Sequence, residues 1–200
     1  MKLQEAVDYL YEIAVVEGKA TSTRRLDGLA QFCLAELAKR GLDGAVTEAK
    51  LPGGGREKFW DVAWSMDHKP RLAISLKSLL KNLGGAVPNR VDDLMGEVTN
   101  VQMYSPEIVT GYIMLFNVAE DSYSSLHHGT WSDLLKRRIS RLSNRRPPSW
   151  SIGMIEASLF VEVDFSDGPR LVSGEGDATR FFDRLVGDVR YRNPILERTR

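Results

Sequence analysis

The N-terminal part of the chain carries apolar side chains at the spacing of two amphipathic helices. In residues 3–16 the apolar positions recur every three or four residues, and this run breaks at Gly18. A second apolar stripe extends from Leu26 to Leu37 and ends at Gly41, a residue type that often closes helices because it adopts left-handed backbone angles. We therefore predict that a pair of helices opens the chain.

Three short extended runs follow this helical pair. They occupy residues 45–51, 58–66 and 71–77, and each is rich in β-branched, aromatic or alternating apolar residues. The intervening segments, 52–55 and 67–70, contain glycine, proline and aspartate, which favour turns. The pattern predicts an antiparallel meander of three strands.

The remaining residues alternate between helical and extended patterns. After a glycine-rich loop at 84–88 we predict a helix that begins at Asn89, a central strand at 108–118, a helix near 130–143, a strand at 154–165, a turn at 166–169 and a last helix at 177–190. The run 108–118 is almost entirely apolar, as expected of a strand covered on both faces. The predicted order is ααβββαβαβα. It describes one α/β domain over residues 1–200, with a mixed central sheet flanked by helices.

The charge balance, the single cysteine and the lengths of the apolar runs limit the kinds of partner and compartment that the sequence predicts. The 27 basic and 27 acidic side chains cancel, so the overall charge does not indicate a nucleic-acid or membrane partner. The single cysteine, Cys33, lies in an apolar helical stretch, which predicts a buried thiol and excludes a disulfide framework. No run approaches the roughly 18 apolar residues that cross a bilayer. We expect a soluble cytoplasmic protein with no membrane partner.

An acidic residue stands in the middle of the second predicted strand. Asp61 lies between Trp60 and Val62, and strands seldom place a carboxylate there unless it reaches solvent, a partner or a metal. Ser75 and Lys77 are two residues apart and share a face of the third strand. The hairpin places that face beside Asp61. The simpler alternative is an ion pair at a strand edge, with Lys77 reaching solvent.

This arrangement resembles the core of the PD-(D/E)xK nuclease superfamily, in which a helix, a three-strand meander, a helix and a strand follow in order. In that core the first acid lies on the second strand and E-x-K on the third, and the likeness covers roughly residues 20–120. Two residues depart from the motif. Trp60 stands where the motif name has proline, and Ser75 stands where E-x-K has its acid.

A narrower likeness lies in the segment that follows the third strand. Lys77 and Ser78, followed by the Asn-Arg-Val-Asp-Asp-Leu-Met-Gly-Glu sequence at 89–97, are similar to a stretch of certain type II restriction endonucleases. In those enzymes K-S precedes a helix that begins N-N-R-x-E-E-x-x-G. The resemblance implies a restriction-endonuclease-like fold and double-stranded DNA as the substrate.

The resemblance also implies a Mg²⁺ site, with Mn²⁺ as a substitute. Magnesium held by carboxylates activates water and neutralises charge on a phosphate. With Ser75 in place of the usual acid, the second carboxylate is expected from the following helix. Asp92, Asp93 and Glu97 are the candidates. Residues 93 and 97 are four apart and share a helix face, whereas Asp92 points about 100° away. Glu97 is favoured, because its side chain reaches further from the helix, and Asp93 is next. The expected metal ligands are therefore Asp61 with Glu97 or Asp93, and the expected catalytic residues are Asp61, Ser75, Lys77 and Glu97. For Asp93 the alternative is favourable charge at a helix N-terminus.

The segment 136–146 has the highest local charge, with six positive side chains and no acid. Such a run can neutralise several DNA phosphates and provide salt-dependent affinity. The predicted DNA-binding residues are Arg137, Arg138, Arg141, Arg145 and Arg146. The alternative is a solvated helix end, where basic residues are favoured by the helix dipole.

Three functions remain open at this point. The leading hypothesis is a Mg²⁺-dependent endodeoxyribonuclease similar to type II restriction enzymes. Cleavage of both strands of a palindrome usually implies a two-fold homodimer. The second is a related domain that lost cleavage through Ser75 and only binds DNA. The third is a scaffold without a nucleic-acid role.

Overall fold

The computed structural model describes residues 1–194 and contains the predicted pair of N-terminal helices. Helix α1 (Leu3–Tyr11) continues into a π-helical turn (Glu12–Val16), and a 3₁₀ turn (Thr23–Leu26) precedes helix α2 (Asp27–Lys39). Gly41 has a φ angle of 82°, which suits glycine and lets the chain leave α2. The prediction of a domain over 1–200 includes residues 195–200, which lie outside the described part of the chain.

Within residues 1–194, six strands form one mixed sheet, and a separate two-stranded hairpin lies outside it. The strands are β1 (Val46–Leu51), β2 (Lys58–Met66), β3 (Lys69–Leu79), β4 (Val109–Asn117), β5 (Tyr123–Ser124), β6 (Gly129–Thr130), β7 (Ala157–Asp164) and β8 (Arg170–Ser173). The sheet order is β1-β2-β3-β4-β7-β8, and β5 pairs with β6 in the hairpin. The predicted meander is confirmed, because β1 with β2 and β2 with β3 pair antiparallel.

The nearly all-apolar run forms β4, an interior strand as predicted. All its residues are buried, and it runs parallel to both neighbours, β3 and β7. The later helices are α3 (Leu83–Tyr104), α4 (Trp131–Arg141) and α5 (Glu175–Arg192). One core lies between the sheet and α1, α2 and α5, and the second lies between the sheet and α3 and α4. Helices therefore cover both faces of β4.

The predicted start of α3 at Asn89 is wrong. The helix begins at Leu83, and the glycine-rich stretch before Asn89 belongs to it, with Pro88 inside the helix. Leu83 and Val87 are buried and continue the apolar stripe of Leu94 toward the helix start. The free energy gained by burying these side chains outweighs two costs. Proline removes one backbone hydrogen bond from the helix, and glycine has a low helix propensity.

Gly84 has a packing role that the sequence pattern did not reveal. A Cβ atom at this position would lie 2.9 Å from the indole ring of Trp131, the first residue of α4. The missing side chain therefore lets α3 and α4 approach closely. Glycine marks this contact rather than a break between elements.

Strand β8 and the β5–β6 hairpin were not predicted. β8 covers Arg170–Ser173 and pairs antiparallel with β7 at the sheet edge, and the hairpin strands are two residues long each. Such short edge segments carry too few residues for an alternating pattern to stand out. Helix α5 follows β8 and begins at Glu175, two residues before the predicted start.

The burial of Cys33 and the apolar content of the helices were both predicted from the sequence. Cys33 is buried in the core beneath α2, and this burial raises the pKa of its thiol. The predicted burial of this thiol is therefore confirmed. Among residues 1–194, no helix combines the length and apolar content that crossing a bilayer requires.

The packing of α5 on β4 can be tested with two glycines. A Cβ atom on Gly111 of β4 would lie 2.7 Å from Leu185 and 2.9 Å from Phe181, whereas Gly187 on the outer side of α5 has open space. We expect Gly111→Ala to lower the free energy of unfolding by about 1–3 kcal/mol through overpacking. Gly187→Ala should raise it by about 0.5–1 kcal/mol, because alanine favours helix. Urea denaturation measures both, and a stabilised Gly111→Ala protein would contradict this packing.

Candidate active site

Asp61, Ser75 and Lys77 meet on one face of the β2–β3 hairpin. Val62 is paired with Ile74, and this register sets Ser75 opposite Asp61. The Nζ atom of Lys77 lies 3.9 Å from Asp61 Oδ2, and the same oxygen accepts a 2.7 Å hydrogen bond from the backbone N–H of Leu76. The hairpin therefore holds the carboxylate beside the lysine, as the period of two along each strand predicts.

Helix α3 brings a second carboxylate to this face. Glu97 Oε1 lies 3.4 Å from Lys77 Nζ, and Ser75 Oγ donates a 2.9 Å hydrogen bond to Glu97 Oε2. Ser75 is only 2% exposed, so its hydroxyl has little access to water in place of this bond. Lys77 thus lies between Asp61 and Glu97, while Ser75 fixes the carboxylate that arrives from the helix.

Asp93 does not join this cluster. Its side chain is exposed and pairs with Arg90 at 2.7 Å on the surface of α3. Asp93 and Glu97 share a helix face, but their four-residue spacing separates them by about 6 Å along the helix axis. The shorter aspartate therefore ends away from Lys77, and Glu97 is the helix acid that reaches the strands.

Lys58 is a further member of the site that sequence reasoning missed. Its Nζ atom donates a 2.8 Å hydrogen bond to Glu97 Oε1. Residues 58 and 61 are three apart, so a straight strand would direct them to opposite faces. However, Trp60 packs in the core under α3 and Val62 packs in the core under α2, although residues two apart ordinarily share a face. The strand is therefore rotated at Asp61, and no spacing rule reveals this rotation.

The two carboxylates respond differently to burial. Burial, with the nearby charge of Glu97, raises the pKa of Asp61 above its ordinary value, although Lys77 and the N–H of Leu76 oppose this effect. Burial also favours the neutral form of Glu97, but Lys77, Lys58 and the Ser75 hydroxyl outweigh it and lower the pKa of Glu97. Of the two acids, Asp61 therefore takes up a proton more readily than its ordinary pKa would indicate.

The cluster opens onto a cleft of about 800 Å³. Asp61, Lys77 and Glu97 line this cleft together with residues around the start of α2, including Arg24 and Asp27. The side chain of Asp61 is 32% exposed and that of Glu97 is 11% exposed. A ligand in the cleft can thus reach Asp61 directly and Glu97 to a smaller extent.

The donor atoms suit a hard divalent cation. Residues 1–194 contain no group of three or more His, Cys, Asp or Glu side chains arranged to hold a metal ion. Asp61 and Glu97 instead form a pair of carboxylates that lie against the same lysine. Mg²⁺ is commonly bound by one or two carboxylates while it keeps several waters. The pair therefore fits Mg²⁺ better than a metal that requires a closed set of nitrogen or sulfur ligands.

One predicted DNA-binding residue, Arg145, must be removed from that set. It is 1% exposed, pairs with the fully buried Glu156 at 3.4 Å and donates hydrogen bonds to backbone carbonyls of Ile108 and Pro106. Arg192, from the end of α5, donates a 2.5 Å hydrogen bond to the same carboxylate. Arg145 is a structural residue, because its guanidinium satisfies a buried acid rather than facing solvent.

The other predicted arginines lie nearer the surface. Arg137, Arg141 and Arg146 are exposed, Arg138 is half-buried, and within residues 1–194 none of the four forms an ion pair. Arg137 donates a 3.3 Å hydrogen bond to the backbone oxygen of His127. The basic run is thus divided between the interior and the surface.

The fold and the cluster together define an α/β protein whose mixed sheet presents two acids and a lysine to a cleft. In sequence, the chain matches no protein-family model and no curated protein. In structure, it is similar to the small subunit of the heterodimeric restriction endonuclease R.BspD6I, with a TM-score of 0.38 and 11% sequence identity over 98% of each chain.

The raised pKa of Asp61 predicts a pH-dependent effect on stability. A pKa above the unfolded value means that the charged carboxylate destabilises the fold at neutral pH, and this cost disappears as the pH falls below the unfolded pKa. Asp61→Asn keeps an acceptor for Leu76 and should raise the thermal midpoint at pH 7–8, because it removes the buried charge. The gain should vanish in acid.

Thermal unfolding at several pH values measures this effect. Asp167→Asn, in the exposed turn before β8, is the matched control and should leave the midpoint unchanged at every pH. A lower midpoint for Asp61→Asn at neutral pH would show that the attraction of Lys77 outweighs burial.

Proposed function

We propose that the protein is a Mg²⁺-dependent nuclease that hydrolyses phosphodiester bonds in DNA. The observation that carries this proposal is the convergence of Asp61, Lys77 and Glu97, from β2, β3 and α3, on the wall of one cleft. Paired carboxylates beside a lysine supply the two things that phosphodiester hydrolysis needs, namely ligands for a hard cation and a positive charge near the phosphate.

Asp61 and Glu97 would hold the cation. Bound Mg²⁺ supplies activation of water and neutralisation of negative charge on the phosphate, and Mn²⁺ accepts the same oxygen ligands. Asp93 has no part in this set because its carboxylate is paired with Arg90 outside the cluster. Metal binding requires charged carboxylates, so protonation of Asp61 competes with it.

The remaining polar residues position these groups. Lys77 lies within 3.9 Å of both carboxylates and places its ammonium charge where a phosphate would enter the cleft. Ser75 and Lys58 each hydrogen-bond one oxygen of Glu97, which orients a flexible helix side chain against the sheet. Ser75 is therefore a positioning residue. It does not bind the metal itself, but it holds the carboxylate of Glu97 in place.

Surface arginines would add affinity for double-stranded DNA. Arg137, Arg138, Arg141 and Arg146 have no carboxylate partner within residues 1–194 and remain available for phosphates. Contacts of this kind provide affinity that does not depend on base sequence. Cleavage of both DNA strands would further require two copies of the chain related by two-fold symmetry.

Cleavage of supercoiled plasmid DNA tests the proposal directly. The wild-type protein should nick or linearise the plasmid in Mg²⁺ or Mn²⁺ and not in EDTA. Asp61→Ala, Lys77→Ala and Glu97→Ala should each lower the rate by at least about 100-fold, because each removes charge from the reacting centre. Asp93→Ala, on the same helix but outside the cluster, is the matched control and should retain cleavage.

Two results would contradict this assignment. A folded wild-type protein that binds DNA but cleaves nothing in either metal would favour the DNA-binding alternative over the nuclease. Full activity in Glu97→Ala, with loss in Asp93→Ala, would move the second carboxylate to Asp93.

The role of Ser75 predicts a change in metal dependence rather than in the maximal rate. Ser75→Ala removes one hydrogen bond to Glu97 Oε2, and loss of such a supporting bond typically weakens metal affinity by about 10–100-fold. We therefore expect a higher half-saturating Mg²⁺ concentration and near-normal cleavage at saturation. Ser65→Ala, exposed on β2, is the control. An unchanged Mg²⁺ requirement would show that Ser75 does not position Glu97.

A further inference from the structure

A second cleft of about 790 Å³ lies on the other side of the 3₁₀ turn that precedes α2. Neighbouring residues divide between the two clefts. Arg24 and Lys77 line the first, whereas Arg25 and Ser78 line the second. Arg25 Nε donates a 3.0 Å hydrogen bond to Ser78 Oγ, which joins the turn to the end of β3. Because Arg24 and Arg25, like Lys77 and Ser78, are adjacent in sequence, the two clefts are neighbours.

The second cleft contains two arginines whose hydrogen-bonding capacity is only partly used. Arg25 donates to Ser78 and to the backbone oxygen of Ser22, but within residues 1–194 it has no carboxylate partner. Arg90 pairs with Asp93 through Nη1, and its buried Nε has no hydrogen-bond partner in the described part of the chain. A guanidinium group that keeps unused donors on a cleft wall is a suitable partner for an anion.

The charge of the cleft also favours an anion. Arg25, Arg90 and the exposed Lys81 line it, and Glu120 is the acid on its wall. Glu120 forms no ion pair with any of the three cations within residues 1–194. Burial and the positive charge of Arg90 lower the pKa of Arg25, while Asp61 raises it. The two guanidinium groups therefore act on each other, and one of them also experiences the acid of the candidate active site.

We propose that this second cleft binds a backbone phosphate of the DNA strand that occupies the first cleft. The inference rests on the proposed function and adds a substrate contact to it. Guanidinium groups match the geometry of phosphate oxygens and are weakly hydrated, so they suit a partly buried phosphate site. A free phosphate ion would fill little of the space, whereas a DNA strand is long enough to contact both clefts at once. Arg25 and Arg90 would thus set the position of the strand relative to Asp61.

Equilibrium binding of a short DNA duplex in EDTA tests this site without any cleavage. The test protein is Arg25→Gln/Arg90→Gln, since glutamine can still donate hydrogen bonds to Ser78 or Ser22. Fluorescence anisotropy between about 50 and 200 mM salt should show affinity lowered by about tenfold and a salt slope reduced by about one unit, as expected for one phosphate contact. Arg170→Gln/Arg180→Gln removes equal charge from exposed positions outside both clefts and should leave the slope unchanged.

An unchanged slope and affinity in the Arg25→Gln/Arg90→Gln protein would overturn the proposal. Inorganic phosphate that raises the thermal midpoint of wild type but not of this variant, with DNA affinity unaffected, would assign the cleft to a free anion and would overturn it too. If the double variant does not fold, Arg90→Gln alone gives the same readout, because it breaks only a surface pair with Asp93.

The test separates this site from the proposed function. A reduced slope together with a wild type that never cleaves would support the phosphate site and refute the nuclease. Cleavage by wild type with an unchanged slope in the variant would refute the phosphate site alone.

Discussion

The register of the β2–β3 hairpin is the constraint on which the cores and the candidate active site depend. Val62 and Ile74 are cross-strand partners, and both are completely buried in the core under α2. Because side chains alternate between the faces of a strand, a slip of one residue would exchange the buried set for Asp61 or Ser75. Burial of apolar side chains therefore fixes the positions of the polar residues. The polar contacts themselves do not have to provide the free energy that sets the register.

Local patterns predicted most of the sheet, because its strands are long or strongly apolar. β2 and β4 are clear for this reason, and their predicted bounds agree with the structure to within one residue. The start of α3 was not predictable, since glycine and proline ordinarily mark turns and the contact of Gly84 with Trp131 is a tertiary fact. Contacts between distant elements override such local preferences.

The polar residues of the site divide in the same way. Asp61, Ser75 and Lys77 were found together because strand period and hairpin pairing are local rules, and Glu97 followed from the reach of the next helix. Lys58 was missed because the rotation of β2 breaks the strand period. A run of basic residues in a sequence likewise does not tell which side chain faces an acid inside the protein.

The buried carboxylate of Glu156 has a consequence for how the fold comes apart. This carboxylate, on the residue before β7, also accepts hydrogen bonds from the backbone N–H and the hydroxyl of Thr110 in β4. It pairs in addition with Arg145 and with Arg192 at the end of α5. Loss of either arginine would leave an ion with too few partners in apolar surroundings. Fraying of the last turn of α5 would withdraw Arg192 from this carboxylate, so we expect the contact to oppose the fraying that is usual at helix ends. The contact thereby links the stability of α5 to that of the central sheet.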